Sequence, residues 1–77
     1  MKAGQRIVFH TSPEHVVLSA HIYDGQRAED LTEVFHGYKF FAGEFDGAVK
    51  KEAAKHLLTA KRVDGALAYD LQPPSPP

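Results

Sequence analysis

Two apolar runs near the start of the chain limit its fold more than any other sequence feature. Residues 5–10 have the β-branched and aromatic content of a strand, and residues 15–25 carry an apolar side chain at every second position. Such alternation is typical of a strand with one buried face. The polar residues 11–14, which include Pro13, are typical of a turn. We therefore predict an antiparallel hairpin.

A turn of four residues would set the pairing of these two strands. It places His10 opposite His15 and Phe9 opposite Val16, and directly opposed side chains share a face of the sheet. One face, which we expect to be buried, then carries Ile7, Phe9, Val16, Leu18, Ala20 and Ile22. The other face, which we expect to be exposed, carries Val8, His10, His15, Val17, Ser19, His21 and Tyr23.

The middle of the chain has a less regular pattern. Residues 24–35 begin with an Asp-Gly turn signal, and their apolar residues recur at helical spacing, which favours a short acidic helix. Thr32, Val34 and Phe35 also suit an extended edge, so both structures stay open for this segment. Residues 38–45 carry aromatic and apolar side chains on both faces, which favours an interior strand.

The pattern of residues 47–62 predicts an amphipathic helix with Asp46 as its N-cap. Its apolar side would carry Val49, Ala53, Leu57 and Ala60. Residues 66–71 predict a last strand, and the Pro-rich residues 73–77 predict a disordered tail.

These elements follow one another in the order β-β-(short α)-β-α-β. We predict one compact α+β domain over residues 1–72, a small two-layer sandwich. Its sheet would be mainly antiparallel with about four strands, and one principal helix would cover one face.

The chain has 77 residues and no cysteine, so neither a disulfide nor a thiolate metal site can stabilise it. Domains of this size often gain stability by pairing, and a homodimer is one expectation. No apolar run reaches the ~20 residues that span a bilayer. We predict a cytoplasmic protein that does not bind a membrane.

Charge is unevenly distributed along the chain. Residues 24–46 carry six acidic and two basic side chains, whereas residues 47–62 carry one acidic and five basic side chains. Lys51, Lys55 and Arg62 would form a stripe on the exposed side of the predicted helix. Such a stripe can contact phosphates, so a nucleic-acid-binding module is the alternative function. The simpler interpretation is that these cations only keep the helix solvated.

The sequence offers little for catalysis or metal binding. In the predicted hairpin the Cβ atoms of His10 and His15 lie about 5 Å apart. Glu14 is the one obvious third ligand nearby, and we predict neither a metal nor another cofactor. The Ser and Thr residues lie in no nucleophile-elbow motif, and no Gly-rich loop resembles a phosphate cradle. We predict that the protein is not an enzyme.

The exposed face of the predicted hairpin is the strongest candidate for function. It mixes apolar, His and Tyr side chains, as protein-binding surfaces do. The candidate partner-binding residues are His10, His15, Val17, His21 and Tyr23. We therefore predict a small non-enzymatic interaction module that acts as a regulator, inhibitor or adaptor by binding another protein. A mobile-element protein that blocks a host defence complex is one form that such a module can take.

Overall fold

A computed structural model describes residues 5–65 and 67–74 of the chain. Within these residues five strands form one antiparallel sheet in the order β3-β2-β1-β5-β4. The elements in chain order are β1 (Gln5–Thr11), β2 (Val17–Asp24), β3 (Arg27–Asp30), α1 (Thr32–Phe35), α2 (Gly43–Lys55), β4 (Thr59–Val63) and β5 (Ala68–Gln72).

The predicted fold class is confirmed, because an antiparallel sheet and one main helix form a two-layer α+β structure. The sheet has five strands, one more than predicted. The core lies between the helices and one face of the sheet, where apolar side chains from both layers meet. The buried apolar residues include Ile7, Phe9, Val17, Ala20, Ile22, Phe35, Phe40, Phe45, Val49, Ala53, Tyr69 and Leu71. Neither helix is long and apolar enough to cross a membrane.

The first hairpin forms, but its predicted register is wrong. Phe9 pairs with Ala20 and not with Val16, because Ser12 and His15 close a turn and pairing within the hairpin begins only at Val17. Val16 instead forms an isolated bridge with Lys39 in a later loop. A connection longer than four residues therefore shifts the whole pairing.

A β-bulge in β2 reverses two of the predicted burial assignments. His10 pairs with Ser19 and Thr11 pairs with Val17, so Leu18 is an extra residue with no partner in the ladder. Val17 consequently enters the core and is completely buried, whereas the side chain of Leu18 is 51% exposed. The expectations of an exposed Val17 and a buried Leu18 are both wrong.

Residues 24–35 contain both an extended strand and a short helix, the two structures that the sequence pattern allowed for this segment. The Asp-Gly pair forms the turn before β3, with Gly25 at a φ of 65° that suits glycine. β3 extends the sheet, and α1 follows at once. Asp30 joins the two, since its carboxylate accepts a hydrogen bond of 2.8 Å from the backbone N–H of Thr32.

The predicted strand over residues 38–45 is wrong. The chain there crosses from α1 to α2 through turns, and α2 already begins at Gly43. The buried aromatic residues of this segment do not share a strand. Phe40 lies in the turns before α2 and Phe45 lies on α2, and both are buried, while Phe41 is 66% exposed.

The main helix lies earlier in the chain than predicted. It spans Gly43–Lys55, and its N-cap is Ala42, so Asp46 lies inside the first turns. It ends where Leu57 adopts a left-handed φ of 59°, and β4 starts two residues later. Arg62 therefore belongs to a strand, and Leu57 is 80% exposed instead of facing the core.

Gln72 ends the last strand, and Pro73 and Pro74 follow it. The rest of the predicted tail, residues 75–77, lies outside the described residues.

Candidate protein-interaction surface

One face of the sheet has no helix against it in the described part of the chain. Strand register assigns alternate side chains to this surface, which we call the open face. Its residues are Arg6, Val8, His10, Ser19, His21, Tyr23, Ala28, Asp30, Lys61, Val63, Ala68 and Asp70.

Charged side chains occupy the middle of the open face. Arg6 on β1 lies opposite Asp70 on β5, and its Nε donates a hydrogen bond of 2.8 Å to the Asp70 carboxylate. Their side chains are 52% and 29% exposed, so solvent screens the pair. Tyr23 flanks Arg6 on one side, and Lys61 flanks Asp70 on the other.

A second ionisable group lies toward the β3 edge. His21 Nε2 is 3.8 Å from Asp30 Oδ1, and the His21 ring lies 6.3 Å from the Tyr23 ring, centre to centre. Hydrogen bonds from the side chain and the backbone of Thr32 hold the pKa of Asp30 below its ordinary value. Asp30 therefore keeps its negative charge to a lower pH than an ordinary aspartate does.

Three of the five candidate partner-binding residues lie together on the open face: His10, His21 and Tyr23. Val17 does not, because the bulge directs its side chain into the core. His15 lies in the connection between β1 and β2, with its ring centre 6.1 Å from that of Phe41.

His10 and His15 are not opposed to each other, because His10 pairs with Ser19. Among the described residues no three His, Asp or Glu side chains are grouped so that they could hold a metal ion.

The predicted basic stripe is divided between two elements. Lys51 and Lys55 lie on α2 and are exposed, but Arg62 lies on β4. Lys55 Nζ is also 3.4 Å from Oε1 of the buried Glu52, which offsets part of its charge. The structure therefore brings two of the three cations onto one helix surface and leaves the third elsewhere.

Arg62 instead ties the sheet to the helix, an arrangement that the sequence did not predict. Its Nη2 donates hydrogen bonds of 2.5 Å to the Asp46 carboxylate, which also accepts one from the Tyr69 hydroxyl. Hydrogen bonds from Tyr69 and then from Arg62 lower the pKa of Asp46. Burial, and then the hydrogen bond to Asp46, raise the pKa of Tyr69. This cluster faces α2, so it serves packing and lies away from the open face.

Both edge strands of the sheet carry charge. All four residues of β3 are exposed, and three of them are Arg27, Glu29 and Asp30. β4 exposes Lys61 and Arg62. Charged residues on edge strands hinder the pairing of another strand with the unpaired backbone.

Comparison with known protein families, with curated proteins and with solved structures finds no match to this chain.

Proposed function

We propose that this chain is a protein-binding module whose open face docks onto another protein, and that it acts as a regulator, inhibitor or adaptor by covering a site on that protein. The observation that carries the proposal is the uncovered sheet face. The helices lie on the opposite side of the sheet throughout the described residues, so the open face contributes nothing to the core.

The composition of the open face suits a protein partner. Val8, Val63 and Ala68 form a small apolar strip, and Tyr23 adds an aromatic ring that is 39% exposed. Aromatic and Arg side chains are enriched in protein interfaces, and polar groups form their rims. His10 adds a further exposed ring.

The edge strands favour docking on the face over the addition of a strand. A partner strand that extended the sheet would have to approach the charged side chains of β3 or β4. On the open face the side chains of Asp, Lys and Arg balance in charge. Arg6 and Lys61 are matched by Asp30 and Asp70.

This balance also argues for protein over nucleic acid as the ligand. Phosphate binding needs an excess of cations on one accessible surface. The open face has none, and α2 combines Lys50, Lys51 and Lys55 with Glu44, Asp46 and Glu52.

A capture experiment with matched variants tests the proposal. The wild-type chain is immobilised and exposed to a lysate of its source cells, beside Tyr23→Arg/His21→Glu on the open face and Lys51→Glu/Lys55→Glu on α2. We expect a defined protein to be retained by the wild type and by the α2 variant, and lost with the open-face variant. Circular dichroism and thermal unfolding check that both variants fold.

Retention of the same protein by the open-face variant would contradict the proposal. Capture of RNA or DNA that disappears at about 0.2 M salt, and that the α2 variant abolishes, would favour the nucleic-acid function instead.

A further inference from the structure

We propose that the open face binds a second copy of this chain, and that the two sheets stack face to face about a two-fold axis between β1 and β5. The inference rests on the proposed function, because it takes the open face to be a protein-binding surface. Its basis is that the pattern of side chains on this face is complementary to itself.

Strand register arranges the open face in rows that cross the sheet from β3 to β4. The first row consists of Ala28, Tyr23, Arg6, Asp70 and Lys61. The second row consists of Asp30, His21, Val8, Ala68 and Val63. The first row therefore places an aromatic ring, a cation, an anion and a second cation on successive strands.

A two-fold axis parallel to the strands, midway between β1 and β5, lays each row over the same row of the second copy in reverse order. β1 then lies over β5 of the second copy, and β2 lies over its β4. Sheets that stack in this aligned manner are common, with a separation of about 10 Å and an angle of about 30° between strand directions.

The contacts of the first row are favourable. Arg6 lies over Asp70 of the second copy, and by symmetry Asp70 lies over its Arg6, so the exposed ion pair becomes a cluster of four alternating charges. Tyr23 lies over Lys61 of the second copy, where a lysine side chain can pack on the ring and its ammonium can interact with the ring face. In the second row Val8 lies over Ala68 of the second copy, which brings two apolar side chains together, and His21 lies over its Val63.

The position of the axis follows from charge. An axis along β1 would place Arg6 directly over Arg6 of the second copy, and an axis along β5 would oppose the two copies of Asp70. Like charges opposed in an interface disfavour association. The position between β1 and β5 is the one in this central region that opposes unlike charges in the first row.

The overlap of the two faces is small. Four strands of each copy overlap in this arrangement, because β3 extends beyond the second sheet. At a spacing of about 4.8 Å and a length of about 20 Å, they bury roughly 380 Å² per copy, which is below the size of a stable interface. We therefore expect a weak, reversible dimer that forms at several hundred micromolar protein and dissociates on dilution.

The sharpest test uses Tyr23 and Lys61, because they cannot touch within one chain. They lie on β2 and β4, which are three strand spacings or about 14 Å apart. Tyr23→Lys opposes two cations across the axis and should weaken the dimer at least about tenfold. Adding Lys61→Glu to the same chain should restore dimerisation, since the opposed charges then have opposite signs.

Sedimentation velocity over a range of protein concentrations measures the monomer–dimer equilibrium of the wild type and of these variants. Lys51→Glu on α2 is the matched control and should dimerise like the wild type. Circular dichroism confirms that each variant is folded. A second measurement mixes Val8→Cys chains with Ala68→Cys chains and adds a short bismaleimide. We expect a cross-linked heterodimer from this mixture and none from Val8→Cys mixed with Lys51→Cys.

A wild-type chain that stays monomeric at several hundred micromolar would overturn the inference, and so would a dimer that Tyr23→Lys leaves unchanged. The proposed function would still stand in either case if the open-face variant loses its captured protein. If the capture experiment fails while the charge exchange rescues the dimer, the general regulatory proposal fails and the dimer stands.

Discussion

The two faces of the sheet are built from the same strands but make different kinds of contact. On the covered face Phe9 lies at the centre of an aromatic cluster, with its ring centre 5.0–5.4 Å from those of Phe35, Phe40 and Phe45. On the open face the contacts are an exposed ion pair and a His–Asp pair. The difference indicates that one face holds the domain together, while the other takes no part in the core.

The largest effect should come from Phe9. Phe9→Ala removes the ring that joins the sheet to both helices, and a buried Phe→Ala change costs about 3–5 kcal/mol in the free energy of unfolding. A small domain has only about 5–15 kcal/mol in total. Urea unfolding followed by circular dichroism measures the loss. The control Tyr23→Ala should change this free energy by less than about 0.5 kcal/mol. Equal losses of unfolding free energy for the two variants would show that both faces contribute equally to stability.

The bulge in β2 buries Val17 in the core and leaves its neighbour Leu18 exposed. Val17→Ala should cost about 2 kcal/mol in the free energy of unfolding, because its buried methyl groups are lost and a cavity remains. Leu18→Ala should cost less than about 0.5 kcal/mol, since Leu18 is 51% exposed. The same urea titration measures both. A larger loss at Leu18 than at Val17 would mean that the bulge is absent.

The contribution of the Asp46 cluster to the stability of the covered side should depend on pH. Because the pKa of Asp46 is lowered in the folded state, its ionisation stabilises the fold above the ordinary value of 3.8, and that stability is lost as pH falls through the folded pKa. Asp46→Asn should cost about 1 kcal/mol at neutral pH, a figure reduced because the carboxylate is partly exposed.

The difference in unfolding free energy between wild type and Asp46→Asn should therefore shrink as pH falls below the ordinary pKa of 3.8. Glu44→Gln, at an exposed position of the same helix, is the control variant and is measured over the same pH range. A difference that stays constant over this range would show that the carboxylate charge is not what stabilises the contact.

The smallest effect should come from the open-face ion pair. Asp70→Asn should change the free energy of unfolding by no more than about 0.5 kcal/mol, because solvent screens the pair with Arg6. The same variant should weaken the proposed dimer, since Asp70 also meets Arg6 of the second copy. Thermal unfolding and sedimentation measured on one preparation separate the two effects. A large loss of stability without a change in dimerisation would assign Asp70 to folding.

Local patterns predicted much of the fold because they depend on spacing along the chain. Alternation identified β1 and β2, and the Asp-Gly pair at the start of residues 24–35 identified a turn with Gly25 at positive φ. The burial of Ile7, Phe9, Ala20 and Ile22 is also confirmed. Part of the candidate surface followed from the same alternation, since His10, His21 and Tyr23 lie on the open face.

The remaining features depend on contacts between residues that are distant in the chain. Alternation along the chain cannot locate a bulge. Whether Val17 or Leu18 enters the core depends on how each side chain packs there. Helical periodicity continued past Lys55, but the chain turns at Leu57 and Arg62 reaches Asp46 from a strand instead. The aromatic residues after α1 have strand-like composition, although their burial comes from a loop and a helix.

By itself the sequence determined that this chain forms an α+β domain with an antiparallel sheet, because periodicity and turn chemistry are local properties. Only the tertiary structure decided the neighbours of each strand, and in particular that β5 lies beside β1. That placement brings Asp70 and Lys61 into line with Arg6 and Tyr23, and it creates the charge pattern of the open face. Strand order depends on how the helix and the sheet share one core, a property of the whole chain.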